Sequence, residues 1–283
     1  MSGSRARLLA AFEGVREVEE GILASQAGDA SQASNMWSGL ARANPISAAA
    51  ASPSSDPFVK YPTWITEYIN PWHELALDAG CGYGRVSIPL LEKCGHLALA
   101  GVDISYVMLR EYLHLARDHH VEDRVVLYCG GLGRLPLRDD SFDCAISAAV
   151  LLHLPRDETR RVLGELHRVL RPGGRIILAS CFPNLTNLEG MQSWLYEHLL
   201  RDSSRNGPVR AYSRNEVRQL FEGWREVEII EHGATLLPRQ LFGVVLPAGN
   251  AIRNLNQLAD GHLPTWMMRK GLLLSQHDVV ASK

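Results

Sequence analysis

The sequence predicts an α/β fold, namely a doubly wound, mainly parallel, seven-stranded sheet with helices on both faces. Short apolar runs bounded by glycine alternate with amphipathic stretches of about 10–15 residues. The runs are apolar throughout, which is typical of parallel strands buried on both faces. Helical crossovers would bring the carboxyl ends of such strands to one edge of the sheet, where ligands bind.

The elements follow one another in a regular order from about residue 57. The predicted strands are ELALDAG (74–80), LALAGVDI (97–104), VVLYCG (125–130), DCAISAAV (143–150), RIILASC (175–181), REVEIIEH (225–232) and SQHDVVAS (275–282). The predicted helices cover 60–70, 85–95, 105–119, 157–170 and 213–224. Arg171-Pro172-Gly173-Gly174 predicts the end of the fourth helix, and Ser213 with Glu216 predicts a capping box at the start of the fifth.

The N-terminal part has a different composition. Apolar residues recur at helical spacing over residues 5–25 and predict an amphipathic helix. Residues 26–57 are rich in Ala, Ser, Asn and Pro, which indicates a flexible segment or a lid. We therefore predict an N-terminal helix and lid over 1–57. A ligand-binding domain would cover 58–283, with substrate-side insertions at about 182–211 and 233–271.

Composition excludes several classes of protein. The net charge of -2 argues against a strongly basic nucleic-acid-binding protein. The five cysteines show no zinc-site spacing and are expected to be free thiols in a cytoplasmic protein without a metal. No apolar run reaches about 18 residues, so no membrane span is expected. The N-terminus also lacks the apolar core of a secretory signal.

A glycine-rich turn is the strongest local signal. Asp78-Ala79-Gly80-Cys81-Gly82-Tyr83-Gly84-Arg85 follows a predicted strand and opens a helix. Glycines at alternate positions allow a tight turn and a close approach of the backbone to a ligand. A dinucleotide site would need a third glycine where Arg85 stands. The spacing therefore favours a nucleoside with an amino-acid tail over a pyrophosphate.

Asp103 is the second signal, at the end of the next strand in Gly101-Val102-Asp103-Ile104-Ser105. A carboxylate there can accept both ribose hydroxyl protons. The competing interpretation is that Asp103 only caps the following helix, although Ser105 could do that alone.

These motifs resemble class I S-adenosylmethionine-dependent methyltransferases over roughly 60–231. Further matches are the RLPL and DSFD stretches (134–137 and 140–143), VLLHL (150–154) and LRPGG (170–174). The resemblance implies a Rossmann-like fold and S-adenosylmethionine as cofactor, with S-adenosylhomocysteine as product. It implies cofactor binding by Asp78, Gly80, Cys81, Gly82, Gly84, Arg85, Asp103, Ile104, Gly131, Leu132, Ser147 and Ala148. Many relatives carry an acid at the position of Gly131, so adenine recognition is expected to differ here.

The resemblance also implies transfer of a methyl group to a small-molecule acceptor, with oxygen or nitrogen favoured, by in-line displacement. His153 is the first candidate for a general base, because it follows the strand that faces the cofactor. Tyr61 is the second, and both have the alternative of a purely structural role. The region around Trp37 resembles a lid found before the core of small-molecule methyltransferases. Whether the chain is a monomer or a homodimer is left open.

Three other functions stay open at this point. The run ISAAVLLH is similar to methyltransferases of the tRNA wobble uridine, for which arginines at 201–225 would contact phosphates. A non-catalytic cofactor-binding protein is disfavoured by the intact Asp78, glycine turn and Asp103. A nicotinamide oxidoreductase is disfavoured by Arg85.

Overall fold

The computed structural model describes residues 3–25, 38–39, 63–185, 209–234 and 274–283. Within these residues the strands are β1 (Val15–Glu19), β2 (Ile22–Ser25), β3 (Leu75–Ala79), β4 (Ala98–Asp103), β5 (Val125–Cys129), β6 (Phe142–Ala148), β7 (Leu170–Pro183), β8 (Arg225–Ala234) and β9 (Leu274–Ser282). The α-helices are α1 (Gly3–Ala10), α2 (Ser87–Lys93), α3 (Tyr106–Asp118), α4 (Arg156–Val169) and α5 (Arg214–Leu220). Short 3-10 helices cover Thr63–Tyr68, Glu122–Arg124 and Leu151–His153.

The strands form one sheet in the order β1-β2-β5-β4-β3-β6-β7-β9-β8. The chain divides into two compact units. The described residues within Met1–Ala148, Arg161–Ile177 and Ser282–Lys283 belong to the first unit, and those within Ala149–Arg160 and Leu178–Ala281 to the second. The predicted α/β class is confirmed, and all seven predicted strands are present.

The centre of the sheet in the first unit is parallel. β3 pairs in parallel with β4 on one side and β6 on the other, and β4 pairs in parallel with β5. All five residues of β3 are buried, as predicted for a strand covered on both faces. The carboxyl ends of these strands therefore meet at one edge, which carries the glycine turn and Asp103.

The predicted helix over residues 5–25 is wrong. α1 ends at Ala10, and β1 and β2 follow as an antiparallel hairpin. Gly14 and Gly21 have φ of 63° and 89°, a conformation that ends a right-handed helix. β2 then pairs in parallel with β5 and buries Ile22 and Leu23. Strand pairing at the edge of the sheet thus overrides the helical spacing. The sheet formed by the described residues has nine strands instead of the predicted seven.

The start of β3 is fixed by a partly buried carboxylate of β6. Asp143 accepts hydrogen bonds from the backbone N–H groups of Glu74 and Leu75 at 2.8 and 2.9 Å. Arg171 pairs with the same carboxylate at 2.5 Å. Asp143 of the DSFD stretch therefore links β6 to the start of β3 and lies away from the carboxyl edge.

β7 begins earlier than predicted. Its extended pairing starts at Leu170, directly after α4, whereas the sequence predicted a turn over residues 171–174. Gly173 has a φ of 78°, and its N–H donates to the Lys283 carbonyl oxygen at 3.3 Å. The Gly174 carbonyl oxygen accepts from the Lys283 N–H at 2.9 Å. A Cβ at Gly174 would lie 2.8 Å from the carbonyl oxygen of Arg171. The glycines therefore bend the strand there without ending it.

The second unit confirms the predicted α5, β8 and β9. Ser213 and Glu216 form the reciprocal capping box at the start of α5. Most of the predicted insertions at 182–211 and 233–271 lies outside the described residues, as do Tyr61 and the region around Trp37. None of the described helices combines the length and the apolar character that crossing a membrane requires.

Candidate functional site

The glycine turn leaves the carboxyl end of β3 and is fastened to β4. The backbone N–H groups of Gly80 and Cys81 both donate to the carbonyl oxygen of Val102, at 2.7 and 3.0 Å. Gly80, Gly82 and Gly84 have φ of 81°, 52° and 83°. Each value lies in the left-handed region that side chains with a Cβ avoid, so the alternating glycines are required by the path of the backbone.

Asp103 connects this turn to the next helix. Its Oδ2 accepts a hydrogen bond from the Gly82 N–H at 2.9 Å, and its Oδ1 accepts one from the Ser105 N–H at 2.8 Å. Burial raises the pKa of Asp103, and the backbone hydrogen bonds act in the opposite direction. A carboxylate offers about four lone-pair sites. The backbone N–H groups of Gly82 and Ser105 approach different oxygens, and that of Ile104 contributes a third bond. The remaining acceptor capacity can serve a ligand hydroxyl.

The cap of α3 is Ser105 and not Asp103. The Ser105 Oγ accepts from the Met108 N–H at 3.4 Å and also lies 3.0 Å from the Oγ of Ser38. The interpretation of Asp103 as a mere helix cap therefore does not hold for its side chain. Its carboxylate orients the glycine turn, while Ser105 performs the capping.

Asp78 lies beneath the turn. Its side chain is buried, and the Ser87 hydroxyl donates a short hydrogen bond to Oδ2. Burial raises the pKa of Asp78 to about 7, with the Ser87 hydrogen bond opposing and the charge of Asp103 adding to the rise. Asp78 is thus a carboxyl group that changes its charge near neutral pH. It lies directly below the backbone of the glycine turn at the carboxyl edge of the sheet.

A second cluster of predicted residues follows β5. The register places Asp103 opposite Cys129, and the Gly130 N–H donates to the Asp103 carbonyl oxygen at 2.9 Å. Ile104, Gly131 and Leu132 are all half-buried there. A Cβ at Gly131 would meet no atom within 4 Å, so the position of the missing acid is open space.

Ser147 and Ala148 end β6 beside β3. The Ser147 hydroxyl is buried and donates to the carbonyl oxygen of Ala79 at 2.7 Å. This bond ties the strand tip to the start of the glycine turn. Any contact of Ser147 with a ligand would therefore use its backbone more readily than its hydroxyl.

The structure brings all predicted cofactor residues to the carboxyl ends of the parallel strands β3, β4, β5 and β6. This edge fits a nucleoside that carries an amino-acid tail. It combines the alternating glycines of the turn, the Asp103 carboxylate and the open loop at Gly131. Among the described residues, no group of His, Cys, Asp or Glu has the arrangement to hold a metal ion.

His153 belongs to the second unit. It ends the 3-10 helix Leu151–His153 and is half-buried, and its carbonyl oxygen accepts from Arg210 Nη1 at 2.9 Å. The other predicted base, Tyr61, lies outside the described residues. Cys181, near the end of β7, is fully buried.

Sequence reasoning missed several polar residues that the fold buries, among them Ser87 and Asp278. Ser87 lies at the start of α2, directly after the glycine turn. Only its hydrogen bond to Asp78 distinguishes it from other helix residues. Asp278 is buried in the second unit and accepts from the Ser180 N–H at 2.7 Å. Ser180 has a φ of 53°, an unfavourable conformation for a residue with a Cβ. A charged residue inside the apolar run SQHDVVAS was the available signal.

Known proteins share both sequence and fold with this chain. Residues 76–174 match the family model described as a methyltransferase domain. A demethylmenaquinone methyltransferase of Lactiplantibacillus plantarum is 32% identical over 170 residues, which cover 59% of this chain and 69% of that protein. The methyltransferase GfsG of Streptomyces halstedii is 38% identical over 104 residues, but the match covers 36% of this chain and 36% of that protein's length.

A solved structure supports the fold alone. The phosphoethanolamine N-methyltransferase 2 of Haemonchus contortus, in complex with phosphomonomethylethanolamine and S-adenosylhomocysteine, superposes with a TM-score of 0.58. Its sequence is 15% identical, and the match covers 90% of this chain and 61% of that chain. The demethylmenaquinone methyltransferase is matched over most of its length, and the glycine turn and Asp103 lie at the carboxyl edge of the sheet. The chain therefore belongs to the class I S-adenosylmethionine-dependent methyltransferases, and its cofactor is S-adenosylmethionine.

Proposed function

We propose that the protein transfers the methyl group of S-adenosylmethionine to an oxygen or nitrogen atom of a small-molecule acceptor. The observation that carries this is the Asp103 carboxylate, which the Gly82 and Ser105 N–H groups hold at the carboxyl edge of the sheet. When bound, S-adenosylmethionine would supply a methyl group activated on a sulfonium: the acceptor lone pair would bond to the methyl carbon in line as the carbon–sulfur bond breaks, with neutral S-adenosylhomocysteine as the leaving group. The protein has to bind the cofactor and the acceptor, orient them for the transfer, and exclude water.

The residues divide this work by position. Asp103 would hold the ribose hydroxyls, and the backbone of Gly80 to Gly84 would lie against the amino-acid tail. The negative charge of Asp78 would favour the ammonium group of that tail through the turn. Ile104 would pack beside the adenine, with the backbone of Gly131 and Leu132 at the adenine edge. The open space at Gly131 leaves no side-chain acceptor there for the adenine amino group.

The acceptor is proposed to be small because the arginines suggested for RNA binding are partly committed elsewhere. The guanidinium of Arg210 donates to the carbonyl oxygen of His153 at 2.9 Å. The overall charge of -2 also argues against a globally basic, nucleic-acid-binding protein. The similarity to a demethylmenaquinone methyltransferase points in the same direction.

A labelling experiment tests the proposal. The full chain would be incubated with S-adenosyl-[methyl-14C]methionine and a panel of phenols, carboxylic acids and amines, and separately with bulk tRNA. We expect label in at least one small molecule and none in tRNA. Label confined to tRNA, or transfer to no member of a broad metabolite extract, would contradict the proposal.

Cofactor affinity is expected to depend on pH through Asp78. Its pKa of about 7 would fall in a complex with a cationic ammonium group. S-adenosylhomocysteine should therefore bind more tightly as the pH rises from about 5.5 to 8, by roughly tenfold for each unit that the pKa falls. Calorimetry in buffers of different ionisation enthalpy should show proton release at pH values below about 7.

Folding stability depends on pH with the opposite sign to cofactor affinity: it falls as the pH rises. Because the folded-state pKa of Asp78 exceeds its unfolded value of 3.8, the folded chain holds this proton more tightly. The stabilisation is complete below the unfolded pKa and is lost as the pH rises towards 7.

Asp78→Asn, which cannot ionise, should flatten the pH dependence of cofactor binding. An unchanged profile in that variant would assign the dependence to another group.

His153→Ala is expected to lower the catalytic rate while leaving cofactor binding intact. A general base contributes about 10²–10⁴-fold when the acceptor must lose a proton. The comparison is kcat with an acceptor from the labelling panel, beside the dissociation constant of S-adenosylhomocysteine. Turnover equal to that of the unmodified protein would remove His153 from the mechanism.

A further inference from the structure

The backbone around His153 is held by a single arginine. Leu151 and Leu152 are buried and anchor one side of the 3-10 helix. On the other side, the Arg210 N–H donates to the Leu152 carbonyl oxygen at 2.8 Å, and Arg210 Nη1 donates to the His153 carbonyl oxygen at 2.9 Å. Two consecutive carbonyls therefore accept from one residue, which fixes the peptide plane that precedes the His153 Cα and the one that follows it.

The segment that presents Arg210 is itself fixed at both ends. We call residues 210–213 the strap. The Tyr212 N–H donates to the Pro183 carbonyl oxygen at 2.7 Å, and the Tyr212 carbonyl oxygen accepts from the Leu185 N–H at 2.9 Å. These bonds attach the strap to the end of β7, and Ser213 continues it directly into the capping box of α5.

Arg156 secures the middle of the strap. Its guanidinium donates to the Ala211 carbonyl oxygen at 3.1 Å and to Glu216 at 3.0 Å. The same group lies 4.9 Å from the centroid of the Tyr212 ring, within cation–π range. Arg210 thus extends from a rigid support, and its guanidinium is directed at the backbone of the His153 turn.

We propose that Arg210 is a positioning residue that acts through His153, which rests on the proposed role of His153 as base. The fixed carbonyls set the direction of the His153 Cα–Cβ bond and hence the place of the imidazole. Small displacements of a reacting group lower the rate strongly, because a general base must lie within hydrogen-bond reach of its proton. The guanidinium supplies a charge-assisted bond, which the backbone N–H alone does not replace.

Arg210→Ala isolates this contribution, because it removes the side-chain bond and retains the backbone bond to Leu152. Arg210→Lys keeps a charged donor of nearly the same reach and serves as the conservative variant. Arg160→Ala is the matched control, since Arg160 is an exposed arginine of the same unit. All variants would be compared by thermal unfolding and by binding of S-adenosylhomocysteine, where dissociation constants within about twofold of the unmodified protein are expected.

The first measurement requires no acceptor. The ring resonance of His153 in the full chain, saturated with S-adenosylhomocysteine and labelled at histidine 13Cε1, is assigned by its loss in His153→Gln among the 11 histidines. Arg210→Ala should shift or broaden this resonance, Arg210→Lys should restore it in part, and Arg160→Ala should leave it unchanged. A His153 resonance in Arg210→Ala that coincides with that of the unmodified protein would overturn the proposal.

The second measurement uses methyl transfer to an acceptor from the labelling panel. Arg210→Ala should lower kcat by about tenfold and change KM little, with no further loss when it is added to His153→Ala. A full additional loss in the His153→Ala background would overturn the proposal. If His153→Ala itself keeps full turnover, the base assignment fails, whereas the resonance measurement still decides whether Arg210 orients the ring.

Discussion

Asp103→Ala is expected to abolish measurable binding of S-adenosylhomocysteine. The substitution removes a carboxylate that would accept from two ribose hydroxyls, and hydrogen bonds to charged groups contribute about 1.5–3 kcal/mol each. The loss of about 3–6 kcal/mol corresponds to roughly 10²–10⁴-fold in affinity. The Gly82 and Ser105 N–H groups also lose their acceptor, so the glycine turn becomes less well oriented.

Binding and folding can be separated in this experiment. Removing a partly buried charge offsets part of the lost hydrogen bonding, so the melting temperature should change far less than the affinity. Asp118→Ala, at the exposed end of α3, is the control and should bind as the unmodified protein does. Calorimetry is the measurement. If Asp103→Ala keeps its affinity while Asp118→Ala is equally unaffected, the nucleoside does not lie at this edge.

Asp103→Asn sharpens the interpretation, since it preserves the shape of the side chain. One of its two terminal groups would be an amide NH2, which cannot accept from the backbone N–H groups that now approach both oxygens. One ribose hydroxyl would also face a donor. We expect affinity between that of the alanine variant and that of the unmodified protein.

The parallel core was predictable because its signals are local and strong. Strands such as Leu75–Ala79 are apolar throughout, and the glycine turn and Asp103 follow directly where two of these strands end. The edge of the sheet then follows from connectivity alone, since parallel strands joined by crossovers end on the same side. Geometry adds that the Asp103 carboxylate and the turn are hydrogen-bonded to each other.

The N-terminal hairpin was not predictable from periodicity. Val15, Val18 and Ile22 satisfy a helical spacing, but β-branched residues also favour strands. The outcome depends on whether the exposed edge of β5 is available for pairing, and this is a property of the assembled sheet. Gly14 and Gly21 were the local warning, because glycine inside a helix costs up to about 1 kcal/mol.

The contacts of Asp78 and His153 were hidden for a different reason. Ser87 and Arg210 are ordinary residues by type, and their partners are fixed only when α2 and the strap take their places. Charge at Arg210 suggested phosphate binding, whereas the structure directs its guanidinium to a backbone carbonyl. Side-chain roles that depend on a single distant partner leave no periodic signal.

Gly84→Ala is expected to destabilise the protein and to abolish cofactor binding together. The residue has a φ of 83°, where a Cβ costs roughly 1–2 kcal/mol. That Cβ would also lie 2.7 Å from two ring carbons of Tyr112. Tyr112 is fully buried and lies against Gly101 as well, so its ring has no open side toward which to move.

Overpacking of a buried site costs about 1–3 kcal/mol, so the combined loss should be about 2–5 kcal/mol in the free energy of unfolding. Urea unfolding measures it, and Gly164→Ala is the control. Gly164 lies in α4, where a Cβ would meet no atom within 4 Å, and alanine there should stabilise by up to about 1 kcal/mol.

The steric and the backbone parts of the Gly84 effect can be divided by a second substitution. In a Tyr112→Leu background the ring carbons that oppose the new Cβ are absent, so Gly84→Ala should cost less there than in the unmodified protein. The backbone part should remain, because the Gly84 N–H donates to the Cys81 carbonyl oxygen at 2.9 Å and the Gly84 carbonyl oxygen accepts from the Ile88 N–H at 2.9 Å in either background. Equal penalties in both backgrounds would show that Tyr112 does not support the turn, and the close packing of turn against α3 would then have to be rejected as the reason for glycine at this position.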